Sequence, residues 1–171
     1  MILDPTANIK THPSYDEIHN ACVRFVDSYK AMYEPPAVVL GLSRGGLVPA
    51  VIISHCFDVP MQSVEYSSHK GNGDNKNHKN YLPDFPLDTS SLLIVDDICD
   101  SGHTIREVVN HYHSQGYTVR DFVLYYKKRA VPVHFPTAAW LSIPEDAPWI
   151  IFPYEITGVQ ARPQDQVFQG V

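Results

Sequence analysis

The segment LLIVDDICDSGHT, residues 92–104, concentrates the residue types that can do chemistry. Its apolar, branched opening reads as a central strand, and Asp96 and Asp97 end that strand with side chains directed to opposite faces. A central strand has no place for surplus surface charge, so both carboxylates call for a ligand. Asp100, Ser101, Gly102, His103 and Thr104 follow at the start of a helix marked by Ile105, Val108, Val109 and Tyr112. Small residues, two hydroxyls and free backbone N–H groups at a helix N-terminus make an anion nest. Carboxylates accept from sugar hydroxyls and the nest takes a phosphate, a pairing that describes a ribose 5-phosphate. The preceding strand excludes the DDxxD metal motif of all-α prenyl-chain enzymes.

A second cluster is VVLGLSRGGLVPA, where a short apolar strand runs into Ser43, Arg44, Gly45 and Gly46 before another apolar stretch. The guanidinium of Arg44 and the glycine N–H groups suit a pyrophosphate. A third lies near the C-terminus, in FVLYYKK with its adjacent Lys127 and Lys128, and in PEDAPWIIFPYE. The nine histidines do not suggest a metal centre. His111 and His113 diverge on a helix, and His69 and His78 fall in a polar segment. Cys22, Cys56 and Cys99 have neither CxxC spacing nor an even count, which argues against a disulfide framework and against zinc.

These groups must be positioned by an α/β domain. The chain has 171 residues, near the prior of roughly 150 for one domain. Ser14 and Glu17 have capping-box spacing, and Ile18, Cys22, Phe25, Val26 and Tyr29 recur at helical intervals, which predicts a helix over about 15–33 stopped by Pro35 and Pro36. Strands are expected at 37–40, 61–66, 91–97 and 118–126, with weaker ones at AAWLS and WIIF, and helices follow the first and third. Alternating strands and helices imply a mostly parallel central sheet flanked by helices, with ligands at the carboxyl ends of the strands. Residues 67–80 carry no large apolar side chain and read as a mobile loop, a lid candidate. No leader or membrane-spanning run is apparent, so a cytoplasmic protein is expected. The net charge of -6 opposes nucleic-acid or anionic-membrane partners.

On these motifs the chain resembles the type I phosphoribosyltransferases, whose signature for phosphoribosyl pyrophosphate is an apolar strand, two acidic residues and a Thr/Ser-Gly turn. VVLGLSRGG, FVLYYKK and PWIIFPYE are similar to the pyrophosphate loop, purine-binding strand and hood of the 6-oxopurine members, the xanthine-guanine and hypoxanthine enzymes. The resemblance implies a single domain over 1–171 with a small hood mainly from 139–171, a purine salvage activity, and a homo-oligomer. It implies that Ser43, Arg44, Gly45, Asp96, Asp97, Asp100, Ser101, Gly102, His103 and Thr104 bind phosphoribosyl pyrophosphate, and that Mg2+ is held in part by Asp97. The Ser43-Arg44 peptide matches one that is often cis in the family.

The purine site implied by the same resemblance comprises Lys128, donating to the 6-oxo group, Trp149, stacking on the base, and Ile150 and Glu155 near the 2-position. Lys127 is the adjacent alternative, facing the other way on an extended chain. Asp100 is then the catalytic general base. Two departures stand out: His103 replaces a small residue, and Tyr66-Ser67 reverses a Ser-Tyr pair. Glu155 replaces an Asp of the xanthine-guanine relatives, which ranks guanine and hypoxanthine above xanthine. The competing readings are a non-catalytic sensor of phosphoribosyl pyrophosphate and a transferase for another base.

Overall fold

The computed structural model describes residues 1–3, 11–66, 80–86, 89, 91–129 and 131–155. Its first helix, α1 (Tyr15–Lys30), begins as the capping box dictates: the Glu17 N–H donates to Ser14 Oγ at 3.2 Å and the Ser14 N–H to Glu17 Oε2 at 2.9 Å. The apolar stripe of α1 is buried, from Ile18 through Tyr29.

β1 (Val38–Leu42), α2 (Leu47–Phe57), β2 (Met61–Val64), β3 (Ser91–Cys99), α3 (His103–Ser114), β4 (Thr118–Lys128) and β5 (Ala138–Pro144) follow. Among the described residues the strands form one parallel sheet in the order β2-β1-β3-β4-β5. The chain leaves β1 toward β2, then returns to place β3 on the other side of β1. That reversal is a topological switch point, where open α/β sheets hold their ligands. Both chemistry-bearing turns, after β1 and after β3, sit at this point.

Two apolar layers sandwich the sheet. One joins α1 and α2 to Val39, Leu93, Val95, Phe122 and Leu141, and the other joins α3 to Leu40, Ile94 and Val123. Phe25 of α1 stacks on Phe122 of β4 with ring centroids 4.1 Å apart, both rings buried. Emptying that contact leaves a cavity that the rigid sheet cannot close, so Phe25→Ala lowers unfolding stability by about 3–5 kcal/mol, to be read from urea denaturation. A loss under 1 kcal/mol would show that the helix settles onto the sheet.

Two expectations change. β3 continues two residues past the acidic pair to Cys99, because its pairing with β4 runs on to Cys99↔Tyr126. WIIF is not a strand: the Ile151 N–H donates to Thr11 O at 2.8 Å and the Phe152 N–H to Glu155 Oε2 at 3.0 Å, so its backbone bonds go to loops and a side chain. The polar segment apart from Asn80, including His69 and His78, and the hood beyond Glu155 lie outside the described residues. No helix of the described residues is long and apolar enough to cross a membrane.

Candidate active site

The turn after β1 is held by backbone bonds: the Ser43 N–H donates to Val64 O at 2.8 Å and the Gly46 N–H to Leu42 O at 2.9 Å. The Ser43-Arg44 peptide is cis, as the resemblance implied. Arg44 is exposed and projects from the turn. A Cβ at Gly45 would overlap the Asp97 carboxylate, so this glycine lets the loop lie directly on the end of β3. The strand-end acids and the glycine loop are thereby one site.

Asp96 and Asp97 bond mainly along their own strand. The Asp97 N–H donates to Asp96 Oδ1 at 2.9 Å, and the Ile98 N–H to Asp97 Oδ1 at 2.7 Å. Neither carboxylate has a cationic partner among the described residues. Burial, then the charge of Asp97, pushes Asp96 well above the usual carboxylate range. Burial, joined by the charge of Glu155, pushes Asp97 up to about 6. Two adjacent carboxylates held up in this way form an oxygen donor set short of positive charge, which fits a hard divalent cation completed by ligand and water oxygens. Among the described residues no cluster of three or more His, Cys, Asp or Glu side chains could hold a metal ion.

A stability consequence follows from the raised Asp97. The fold favours its protonated form, so ligand-free protein loses stability as pH rises from about 4 through 6. Asp97→Asn removes this loss: its thermal melting point exceeds that of the parent at pH 7.5 and converges with it below about pH 4. A variant less stable than the parent at pH 7.5 would contradict the electrostatic assignment.

Beyond β3, Gly102 takes φ +80 as the N-cap of α3, and a Cβ there would lie 2.9 Å from His134 Cβ. His134 is itself fixed, its Nε2 lying 2.8 Å from Oδ2 of the buried Asp121, whose other oxygen accepts from the Thr137 N–H and hydroxyl. This buttress from the β4–β5 connection sets the floor of the nest. Ser101 and His103 are exposed at its rim and Thr104 is half-buried in the first turn of α3.

Asp100 faces cations. Its Oδ1 lies 2.7 Å from Arg129 Nη2 and 3.5 Å from Lys127 Nζ. Lys127 is half-buried on the site side of β4, while Lys128 is exposed and has no contact with Asp100. The structure thus brings Lys127, the alternating neighbour, to the acid, while Lys128 is exposed without an ion pair to it. Arg129 was not singled out by sequence; the signal was the KKR run, whose third residue escapes strand alternation because β4 ends at Lys128.

The hood segment is anchored through Ile150 and Phe152, both buried in the core. Ile150 therefore cannot offer its side chain to a ligand without leaving the core. Trp149 is 62% exposed and presents a free indole face. Glu155 is exposed and accepts from its own turn at Phe152. Tyr154, also missed by sequence, stacks on Phe152 at 5.2 Å, and burial with the nearby Asp97 and Glu155 charges drives its phenol up. Its hydroxyl is buried with no hydrogen-bond partner among the described residues.

Comparison with known proteins identifies the family. Residues 6–156 match the phosphoribosyl transferase domain family. Xanthine-guanine phosphoribosyltransferase from Roseobacter denitrificans is 26% identical over 156 residues, spanning 85% of each chain. The enzyme of that name from Cereibacter sphaeroides is 27% identical over 151 residues, covering 85% of this chain and 86% of its own. Among solved structures, a purine phosphoribosyltransferase from Pyrococcus horikoshii superposes with a TM-score of 0.68 at 25% identity over 88% of this chain and 97% of that one. A xanthine-guanine-hypoxanthine phosphoribosyltransferase from Helicobacter pylori gives 0.70 at 20% identity, covering 85% and 92%, and shows the shared fold. With the glycine loop, the acid pair and the helix nest gathered at the switch point of one parallel sheet, the chain belongs to the phosphoribosyl transferase domain family.

Proposed function

We propose that this protein transfers the 5-phosphoribosyl group from phosphoribosyl pyrophosphate to a 6-oxopurine, releasing pyrophosphate, in purine salvage. The observation that carries the reading is Asp100 beside Lys127, 3.5 Å apart at the carboxyl ends of β3 and β4. A carboxylate acceptor next to an ammonium donor complements the edge of a purine that presents a ring N–H next to a 6-oxo group. The matched relatives bear the names of purine enzymes.

In the reaction a purine ring nitrogen forms a bond to C1 of the ribose as the bond from C1 to the pyrophosphate oxygen breaks. The bonding electrons leave with pyrophosphate, and the purine proton passes to Asp100. Positive charge grows on the ribose, where Asp96 and Asp97 face it, and negative charge grows on the leaving group, where Arg44 and the Ser43–Gly45 backbone receive it. The α3 nest, with Ser101, Gly102, His103 and Thr104, holds the 5-phosphate. Asp97 would hold a Mg2+ ion, which would supply further positive charge to the leaving pyrophosphate. Trp149 offers its exposed face for stacking, and Ile150 positions backbone groups at the purine 2-position.

Glu155 adds negative charge near that position, which favours guanine and hypoxanthine over the xanthine anion. The acidic chain, read as one domain, is taken to work in the cytoplasm as a homo-oligomer without nucleic-acid or membrane partners. Incubation with phosphoribosyl pyrophosphate, Mg2+ and each of hypoxanthine, guanine, xanthine and adenine tests the reading. Nucleotide is expected from the oxopurines and not from adenine. Binding of phosphoribosyl pyrophosphate without turnover on any base would favour a sensor instead, and turnover on adenine alone would favour a transferase for another base.

A further inference from the structure

Arg129 stands one residue past the end of β4 and directs its guanidinium at two other loops. Its Nε donates to Asp100 O at 3.0 Å, its Nη2 to Asp100 Oδ1 at 2.7 Å, and its Nη1 to Glu145 Oε1 at 2.9 Å. Asp100 lies between β3 and α3, and Glu145 lies just after β5 at the root of the hood. We propose that Arg129 is a positioning residue for base transfer, holding the Asp100 carboxylate in its proton-accepting orientation, keeping Lys127 free for the purine, and tying the hood to the base site. This rests on the reading of Asp100 as general base.

The geometry carries each part. Two donors in a fixed fork grip both the main-chain oxygen and one carboxylate oxygen of the same residue, which removes the rotation of the Asp100 side chain. The other oxygen, Oδ2, has no partner among the described residues and remains able to accept a proton. Lys127 competes for Oδ1, but at 3.5 Å against 2.7 Å, so Arg129 holds the closer place. Without the guanidinium, Lys127 is the remaining cation beside Asp100 and closes onto it. Base and oxo donor would then neutralise each other. The third arm, to Glu145, keeps the hood root at a fixed distance from Asp100. A lysine at 129 has a single ammonium and cannot serve the main-chain oxygen, the carboxylate and Glu145 together.

Steady-state kinetics on Arg129→Gln, Arg129→Lys and Glu145→Gln test this. Arg129→Gln is expected to lower kcat about 10- to 100-fold, the usual range for groups that orient a functional side chain, with KM for phosphoribosyl pyrophosphate unchanged. Added guanidinium ion at low millimolar concentration should restore part of that loss, and Arg129→Lys should not match the parent. Glu145→Gln should raise KM for the oxopurine while leaving kcat near the parent value. The double variant Arg129→Gln with Asp100→Asn should be no slower than Asp100→Asn alone, since both act through one carboxylate. If Asp100→Asn is silent, the general-base reading fails. If Asp100→Asn is strong while Arg129→Gln keeps parental kcat, or loses activity only in step with melting temperature and without guanidinium rescue, the positioning role is overturned. Should Arg129→Gln not fold, Glu145→Gln with unchanged oxopurine KM overturns the hood tie, and Arg129→Lys with parental kinetics overturns the fork.

Discussion

Asp100→Asn lowers turnover by about 100-fold or more and leaves KM for phosphoribosyl pyrophosphate close to the parent value, because general-base contributions run about 10² to 10⁴. Asparagine is nearly isosteric and keeps an acceptor for the Arg129 and Lys127 donors that meet Oδ1. What it lacks is the capacity to bind the purine proton. Binding and chemistry are therefore separated: the nest after β3 and the glycine loop after β1 are untouched, so the phosphoribosyl end of the substrate is held as before. Single-turnover measurement of nucleotide formation against equilibrium binding of phosphoribosyl pyrophosphate distinguishes the two. Weakened binding with unchanged turnover would remove Asp100 from the proton transfer and return it to a purely structural place in the loop.

How far the sequence foretold this site depended on whether a local pattern or a tertiary contact decides each part. The strand ending in Asp96 and Asp97, the helix cap at Ser14 and the α/β alternation rest on periodicity and capping, which act within a few residues, and they appear in the structure near the expected bounds. WIIF departs from the expected strand because four apolar residues look alike in a strand and in a buried coil, and only the distant Thr11 and the nearby Glu155 carboxylate decide where its N–H groups go. The choice between Lys127 and Lys128 was open for a similar reason: alternation says they diverge, but not which faces Asp100. That depends on the packing of β4 against β3, whose register pairs Cys99 with Tyr126. The Arg129 bridge was invisible because its partners are 29 and 16 residues away in the chain. The buttress of Asp121, His134 and Thr137 beneath Gly102 was hidden in the same way.

On the proposed reading, the selectivity for oxopurines falls on Lys127. Its ammonium is half-buried at the end of β4, within reach of a base lying beside Asp100, whereas Lys128 on the opposite face meets solvent. A charged donor to a neutral acceptor is worth about 1.5–3 kcal/mol in a shielded site, so Lys127→Ala lowers kcat/KM by about 10- to 150-fold with hypoxanthine, guanine and xanthine alike. Lys128→Ala, which removes an exposed cation, changes each of these values less than about threefold. Adenine behaves differently. Its 6-amino group faces the ammonium donor to donor, leaving hydrogen-bonding groups unpaired at a cost of roughly 1–3 kcal/mol or more, and removing the ammonium relieves that conflict. Lys127→Ala should therefore narrow the ratio of oxopurine to adenine efficiency from both sides, lowering the first without lowering the second. Parallel kinetics on the two alanine variants with all four bases decide the matter. Equal losses on adenine and hypoxanthine would mean that Lys127 supports the loop around Asp100 rather than reading the 6-position, and a large loss confined to Lys128→Ala would place the base on the other face of β4.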